Sequence, residues 1–313
     1  MAFVDGFVAV TDPRWFERLA REANRKDANF WRPSIRAFRL AVGTPFFFKL
    51  KAPDHAIAGF GFFAGFSILP DWLAWDTFGE ANGVDGLDSL RKRLRSVQEG
   101  ARIEADAGGR IGCCLIAEAH FFPRDAWLRP PADWSPRTQT GAKYDLLQGE
   151  GQRLWMQCME RATGPADASS GEMATLNGPV VRYGTPALHA PRLGQAIFRV
   201  QVLDAYGRAC AITGEHSLPV LEAAHIRPYA KGGEHTVANG LSLRSDIHRL
   251  FDKGYVTVDE DARFAVSRRL KADFENGKAY YALQGKSINL PVEVARQPSR
   301  EALGWHREQV FLG

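Results

Sequence analysis

Cysteine is scarce in this 313-residue sequence, which holds only Cys113, Cys114, Cys158 and Cys210. Their spacing forms neither a disulfide framework nor a pair of Cys-x-x-Cys motifs, so a disulfide-stapled scaffold and a structural zinc knuckle are both excluded. Long apolar runs are also missing. The stretch from Phe60 to Leu69 is broken by glycine and is too short to span a bilayer, so no membrane partner is expected. The opening residues show no basic segment followed by an apolar one, so no secretory signal is expected, and reduced cysteines fit a cytoplasmic location. An excess of one charge is lacking as well. The 40 Lys and Arg stand against 36 Asp and Glu, a net charge of +4, which permits nucleic-acid binding without arguing for it.

What is present is an ordinary soluble composition, 45% hydrophobic and 24% charged, with length enough for two cores. Residues 1–160 are rich in aromatics and short strand-like runs: Phe7–Val10, Pro45–Leu50, Ala56–Phe63 and Ile111–Ala117. Asp12-Pro13 starts a helix expected to run to about Asn24, and Asp88–Val97 has helical spacing. Scattered strands with few helices point to a small curved sheet or barrel. Residues 161–191 are rich in proline, glycine and serine and read as a linker. Residues 192–313 form a second domain, with a helix over Arg192–Ala205, strands around Cys210–Thr213 and Leu218–Ile226, and a helix over Ser245–Phe251.

The sharpest signal lies in the second domain. It reads Leu221-Glu-Ala-Ala-His225-Ile-Arg-Pro-Tyr, then Gly232-Gly233, then Asn239-Gly-Leu-Ser-Leu, then Asp246-Ile-His248-Arg-Leu-Phe-Asp252. A strand packed on a following helix can bring its inward side chains to one ion. A neutral imidazole beside it can take a proton from water. His225, held at the stiff end of its strand by Ile226 and Pro228, suits the base. His248 and Asp252, four residues apart on one helical face, suit metal ligands. The Asn239 amide suits the bridging of a long loop. Arg227, Tyr229, Lys231, Arg244 and Arg249 surround these residues, and of them Arg227, Lys231 and Arg249 are the candidate phosphate contacts. His216 and His235 fall in turn-like segments and read as surface residues, and Cys210 as buried filler.

This pattern resembles the HNH endonuclease superfamily: Ala-His225-Ile-x-Pro, Asn239-x-Leu-x-Leu and Ser-Asp-x-His248, with the lead-in Tyr206-Gly-x-x-Cys-x-x-Thr-Gly214 of bacterial restriction-type members. The resemblance implies a ββα-metal module that hydrolyses DNA phosphodiesters with one divalent ion, Mg²⁺ or Mn²⁺ or another divalent transition metal. His225 would be the base, Asn239 the loop organiser and His248 a ligand. Many members carry Asp or His before the base, whereas this chain has Ala224. Asp252 is the expected replacement ligand, with Glu222 the weaker candidate.

In the first half, Phe7-Val-Ala-Val, Asn29-Phe-Trp-Arg, Val42-Gly-x-Pro-Phe-Phe-Phe-Lys and Ala56-Ile-Ala-Gly-Phe-Gly resemble the EVE/PUA-like family of modified-base readers. The implied architecture is α+β, a PUA-like β-barrel with helices followed by the ββα nuclease. The implied activity is a modification-dependent, type IV-like restriction endonuclease acting on double-stranded DNA. It would flip out and read 5-methyl- or 5-hydroxymethylcytosine against aromatic walls. Trp31, Arg32, Ser34 and Trp75 are the candidate pocket residues, while Phe46–Phe48 and Phe60–Phe63 read as core. Double-strand cutting would suit a homodimer. Two other readings remain open: an HNH endonuclease without modification sensing, and a non-catalytic DNA-binding protein with a degenerate module.

Overall fold

The computed structural model describes residues 4–22, 27–162 and 192–313. It divides into two compact units, 1–192 and 193–313. The expected linker, beyond its first two residues, and the end of the first expected helix lie outside the described residues.

The first unit runs β1 (Asp5–Thr11), α1 (Pro13–Ala20), β2 (Ala28–Arg32), β3 (Pro45–Leu50), β4 (Ile57–Pro70), α2 (Asp71–Phe78), α3 (Leu87–Ala101), β5 (Arg110–Phe121), β6 (Gly141–Asp145) and α4 (Gly149–Ala162). Its six strands form one sheet in the order β2-β5-β4-β3-β1-β6, with only β1 and β3 parallel. Aromatic residues cover both faces. Trp15 and Phe16 of α1, anchored by the Asp12 cap, meet Phe48 and Phe121 at 5.4 and 5.6 Å between ring centroids. On the other face Phe47 and Phe60 pack with Leu154, Trp155 and Cys158 of α4. That double burial explains why β3 is apolar along most of its length rather than alternating.

The expected barrel is not closed, because β2 and β6 are the two ends of an open sheet. The sheet is nevertheless strongly curled. Phe30 of β2 and Phe46 of β3 have two strands, β5 and β4, between them in the ladder, yet their rings meet at 5.1 Å. Side chains therefore fill the interval that backbone pairing would have closed. Bulges in the β4–β5 ladder contribute to the curl. Gly59 allows the approach, since a Cβ there would lie 2.2 Å from the His120 carbonyl oxygen. The segment Gly79–Asn82 packs on β2, with Asn29 donating to Asn82 Oδ1 at 2.8 Å and Trp31 Nε1 to the Asn82 carbonyl at 2.9 Å.

The second unit runs α5 (Gln195–Ala205), β7 (Leu221–His225), β8 (Gly240–Arg244), α6 (Ser245–Asp252), β9 (Val256–Val258), β10 (Phe264–Val266), α7 (Arg269–Phe274), α8 (Lys278–Tyr281) and α9 (Arg300–Gln309). β7 and β8 pair antiparallel, Leu221 opposite Arg244 and His225 opposite Gly240. Phe198, Val202 and Leu203 of α5 and Ile247 and Phe251 of α6 share a core with Leu221, Leu241 and Leu243 of the hairpin. Cys210–Thr213 is not a strand, contrary to the sequence expectation. It is a turn closed by Gly214 N–H on the Cys210 carbonyl at 2.9 Å, with Gly214 at φ +72°, and Ala211 N–H binds the Ser242 carbonyl of β8 at 2.7 Å. The second strand of the hairpin is instead the Gly-Leu-Ser-Leu run after Asn239. All four cysteines are free and buried, and among the described residues no helix is long and apolar enough to cross a membrane.

Candidate functional site

β7, β8 and α6 bring His225, Asn239 and His248 into one ββα unit, and each is held by different chemistry. Asn239, 7% exposed, follows a short turn and precedes β8. Its Oδ1 accepts from Arg227 N–H, and its Nδ2 donates to the carbonyls of Arg227 and Glu234, each at 2.9 Å. Both ends of the 227–234 loop are thereby tied to one side chain. Gly233 is required where the loop crosses itself, since a Cβ there would lie 1.9 Å from the Arg227 carbonyl oxygen.

His225 ends β7, half-buried, with its ring stacked on Phe198 at 4.0 Å and 13°. Burial, and then the neighbouring His235 and His248, push its pKa down to about 4, so the imidazole is neutral at neutral pH. Its Nε2 lies 2.9 Å from His235 Nδ1. His235 is therefore not a plain surface residue: it is partly buried, stacks on Tyr229 at 5.0 Å and has its own pKa lowered by burial. In the tautomer that has His225 Nε2–H donating to His235 Nδ1, the other ring nitrogen of His225, Nδ1, is the basic atom.

His248 lies between two carboxylates. Its Nδ1 is 2.6 Å from Glu222 Oε2 and its Nε2 is 3.5 Å from Asp252 Oδ2. The surrounding protein, and then the like charge of Glu222, push the Asp252 carboxyl up against the opposing pull of His248. Ala224, the position before the base, is fully buried in the core and offers no donor. Among the described residues no three His, Cys, Asp or Glu side chains are grouped as a ready metal cage. What the site provides is an imidazole nitrogen with a carboxylate beside it. That nitrogen–oxygen pair suits a divalent cation that completes its shell with water and substrate oxygen.

Of the surrounding cations, Lys231 and Arg249 are exposed and pair with no carboxylate among the described residues. Arg227 donates to the Lys231 carbonyl at 2.7 Å and lies over Trp305. Arg244 is locked in a two-point pair with Asp246, whose carboxyl falls to about 2. His216 is exposed and Cys210 is buried.

The first unit holds a cavity of about 810 Å³, with Trp31, Arg32 and Ser34 in its wall beside Trp15, Phe30 and Trp134. Trp75 is not in that wall. It lies on α2, a helix that starts right after Pro70 with Asp71 in its first turn.

No curated protein matches the chain. Among solved structures it is similar to a modification-dependent TagI restriction endonuclease, at 21% identity over 36% of this chain, with a TM-score of 0.26. The match spans 37% of the length of that enzyme. It is also similar to an ASCH protein from Zymomonas mobilis, at 14% identity, 48% of this chain, 94% of that one and a TM-score of 0.31. The segment that carries His225, Asn239, His248 and Asp252, residues 210–259, matches the model of the HNH endonuclease family.

Proposed function

We propose that this protein is a divalent-metal-dependent DNA endonuclease of the modification-dependent restriction type. Its second unit would cut and its first would read a modified cytosine. The observation that carries the cutting half is the joint placement of His225, the Asn239-tied loop and the His248–Asp252 pair on one ββα unit, inside the stretch that matches the HNH family.

His248 Nε2 and Asp252 would hold the cation, Mg²⁺ or Mn²⁺. Glu222, taking a hydrogen from Nδ1, would fix the ring's tautomer and orientation rather than bind the ion itself. When bound, the cation supplies positive charge to the scissile phosphate and its leaving oxygen. His225 Nδ1 takes the proton of the attacking water, a contribution of about 10²–10⁴ in rate. His235 holds the opposite nitrogen, and Asn239 holds the loop on which His235 sits. Lys231 and Arg249 would steady the DNA backbone.

The reading half rests on the aromatic cavity, where Trp31 would stack on an extruded 5-methyl- or 5-hydroxymethylcytosine. Two copies, each cutting one strand, would give double-strand breaks. The test is digestion of phage DNAs carrying different cytosine modifications, with and without chelator. Metal-dependent cutting of modified DNA and sparing of unmodified DNA is expected. Equal cutting of both would remove the reader role, and no cutting with Mg²⁺, Mn²⁺, Co²⁺ or Ni²⁺ would leave a binding protein. Trp31→Ala should weaken the preference for modified DNA.

A further inference from the structure

The wall of the cavity in the first unit contains a cation that base stacking does not use. Lys49, at the end of β3, is 4% exposed. A bulge between Phe48 and Lys49 breaks the register of the phenylalanine run at this point. The ammonium makes one hydrogen bond, to the carbonyl of its neighbour Leu50 at 3.2 Å, and lies 5.1 Å from the ring centre of Trp134. Among the described residues no carboxylate pairs with it, and burial lowers its pKa. Asp12, the acid in the same wall, is engaged elsewhere: it caps α1 and pairs with Arg93 at 2.8 Å.

An ammonium has three donors, and burying one against a single neutral acceptor is costly. Lysines with a purely structural place reach out to solvent or find a carboxylate. Lys49 does neither, and it borders a space of about 810 Å³ whose wall includes the rings of Trp15, Phe30, Trp31, Phe46 and Trp134. Such a space holds a nucleotide with room to spare. Arg32, Lys51 and Arg102 also line the cavity, but Lys49 is the cation 4% exposed. We infer that Lys49 is an anion-recognising group of this cavity, donating to an anionic oxygen of a ligand whose ring lies against the aromatic wall. This rests on the base-binding role proposed above and adds a chemical requirement to it. The oxygen can come from the 5′-phosphate of the extruded nucleotide or from a carboxylate on its base.

The test is a titration of the full-length protein, read by tryptophan fluorescence, with three probes. They are 5-methyl-2′-deoxycytidine, its 5′-monophosphate, and 5-carboxy-2′-deoxycytidine. One or both anionic probes are expected to bind about tenfold or more tighter than the neutral nucleoside, the size of one charge-assisted hydrogen bond. Lys49→Met should abolish that difference and Lys49→Arg should keep part of it. Lys49→Gln serves if the Met variant does not fold, and in the wild type the preference should shrink as salt rises. A preference for the phosphate assigns the oxygen to the backbone, and one for the carboxylate assigns it to the base. Equal binding of all three probes overturns the role of Lys49 and leaves the cavity as a neutral base site. A preference that survives Lys49→Met overturns it by moving the anion to another cation of the wall, such as Arg32 or Lys51. Absence of binding by every probe overturns the cavity reading together with this inference, while cleavage by the second unit is measured independently.

Discussion

Replacing Asn239 with alanine removes three hydrogen bonds of 2.9 Å at once, two to the backbone of Arg227 and one to the Glu234 carbonyl. At about 1 kcal/mol net for each, the loss is roughly 3 kcal/mol. The loop can open to water and recover part of this, so about 2 kcal/mol is expected in global unfolding by urea. The remainder should appear as faster hydrogen exchange at the Arg227 amide. Because His235 sits on the same loop, cleavage should fall as well. Asn239→Asp keeps the acceptor for Arg227 N–H but turns a carboxylate oxygen toward two carbonyls. It should therefore be at least as damaging as alanine at neutral pH. An alanine variant within about 0.5 kcal/mol of wild type, with unchanged exchange at Arg227, would refute the organising role, since that is the range of an ordinary surface substitution.

Three further outcomes are expected. His235→Ala should leave His225 Nε2 without its partner and slow cleavage by about tenfold or more, the size of one hydrogen bond that orients the base; an unchanged single-turnover rate would contradict this. Glu222→Gln should weaken Mg²⁺ or Mn²⁺ binding by about 10–100-fold as an orienting partner of His248, whereas Asp252→Ala should weaken it more; the reverse order, measured by calorimetry, would exchange their roles. His306 bonds Thr257 Oγ1 and the Phe251 carbonyl, stacks on Phe251, and has its pKa pushed down from 6.5 to about 4 by burial. The unfolded chain therefore binds this proton first. The stabilisation is complete above pH 6.5 and is lost as pH falls toward 4, by up to about 2 kcal/mol at pH 5; a His306→Gln variant with the same acid loss would contradict this.

The parts of this molecule legible from sequence are those fixed by nearby residues. His225, Asn239 and His248 stand out because a strand, a glycine turn and a helix bring them together over a short length of chain. The phenylalanines of β3 and β4 declare a buried sheet by their pattern. What depends on distant contacts was not legible. His235 looks like a loop residue until Asn239 folds the loop back and sets its ring 2.9 Å from His225. Cys210–Thr213 has strand composition, but Gly214 in the left-handed region turns it, and it lies along β8 instead. Closure of the barrel depends on whether β2 and β6 meet, and Phe30 against Phe46 decides that with side chains far apart in sequence. Lys49 was hidden as the polar end of an apolar strand.

The cutting activity hinges on His225 as the base of a metal-dependent step. Single-turnover cleavage of a duplex containing 5-methylcytosine tests it most directly, comparing wild type and His225→Ala in Mg²⁺ or Mn²⁺ and in chelator, with DNA binding measured alongside. Wild type is expected to cut only with metal. The variant should lose about 10²-fold or more in rate with binding retained. Cutting by His225→Ala at a rate near that of wild type would contradict it.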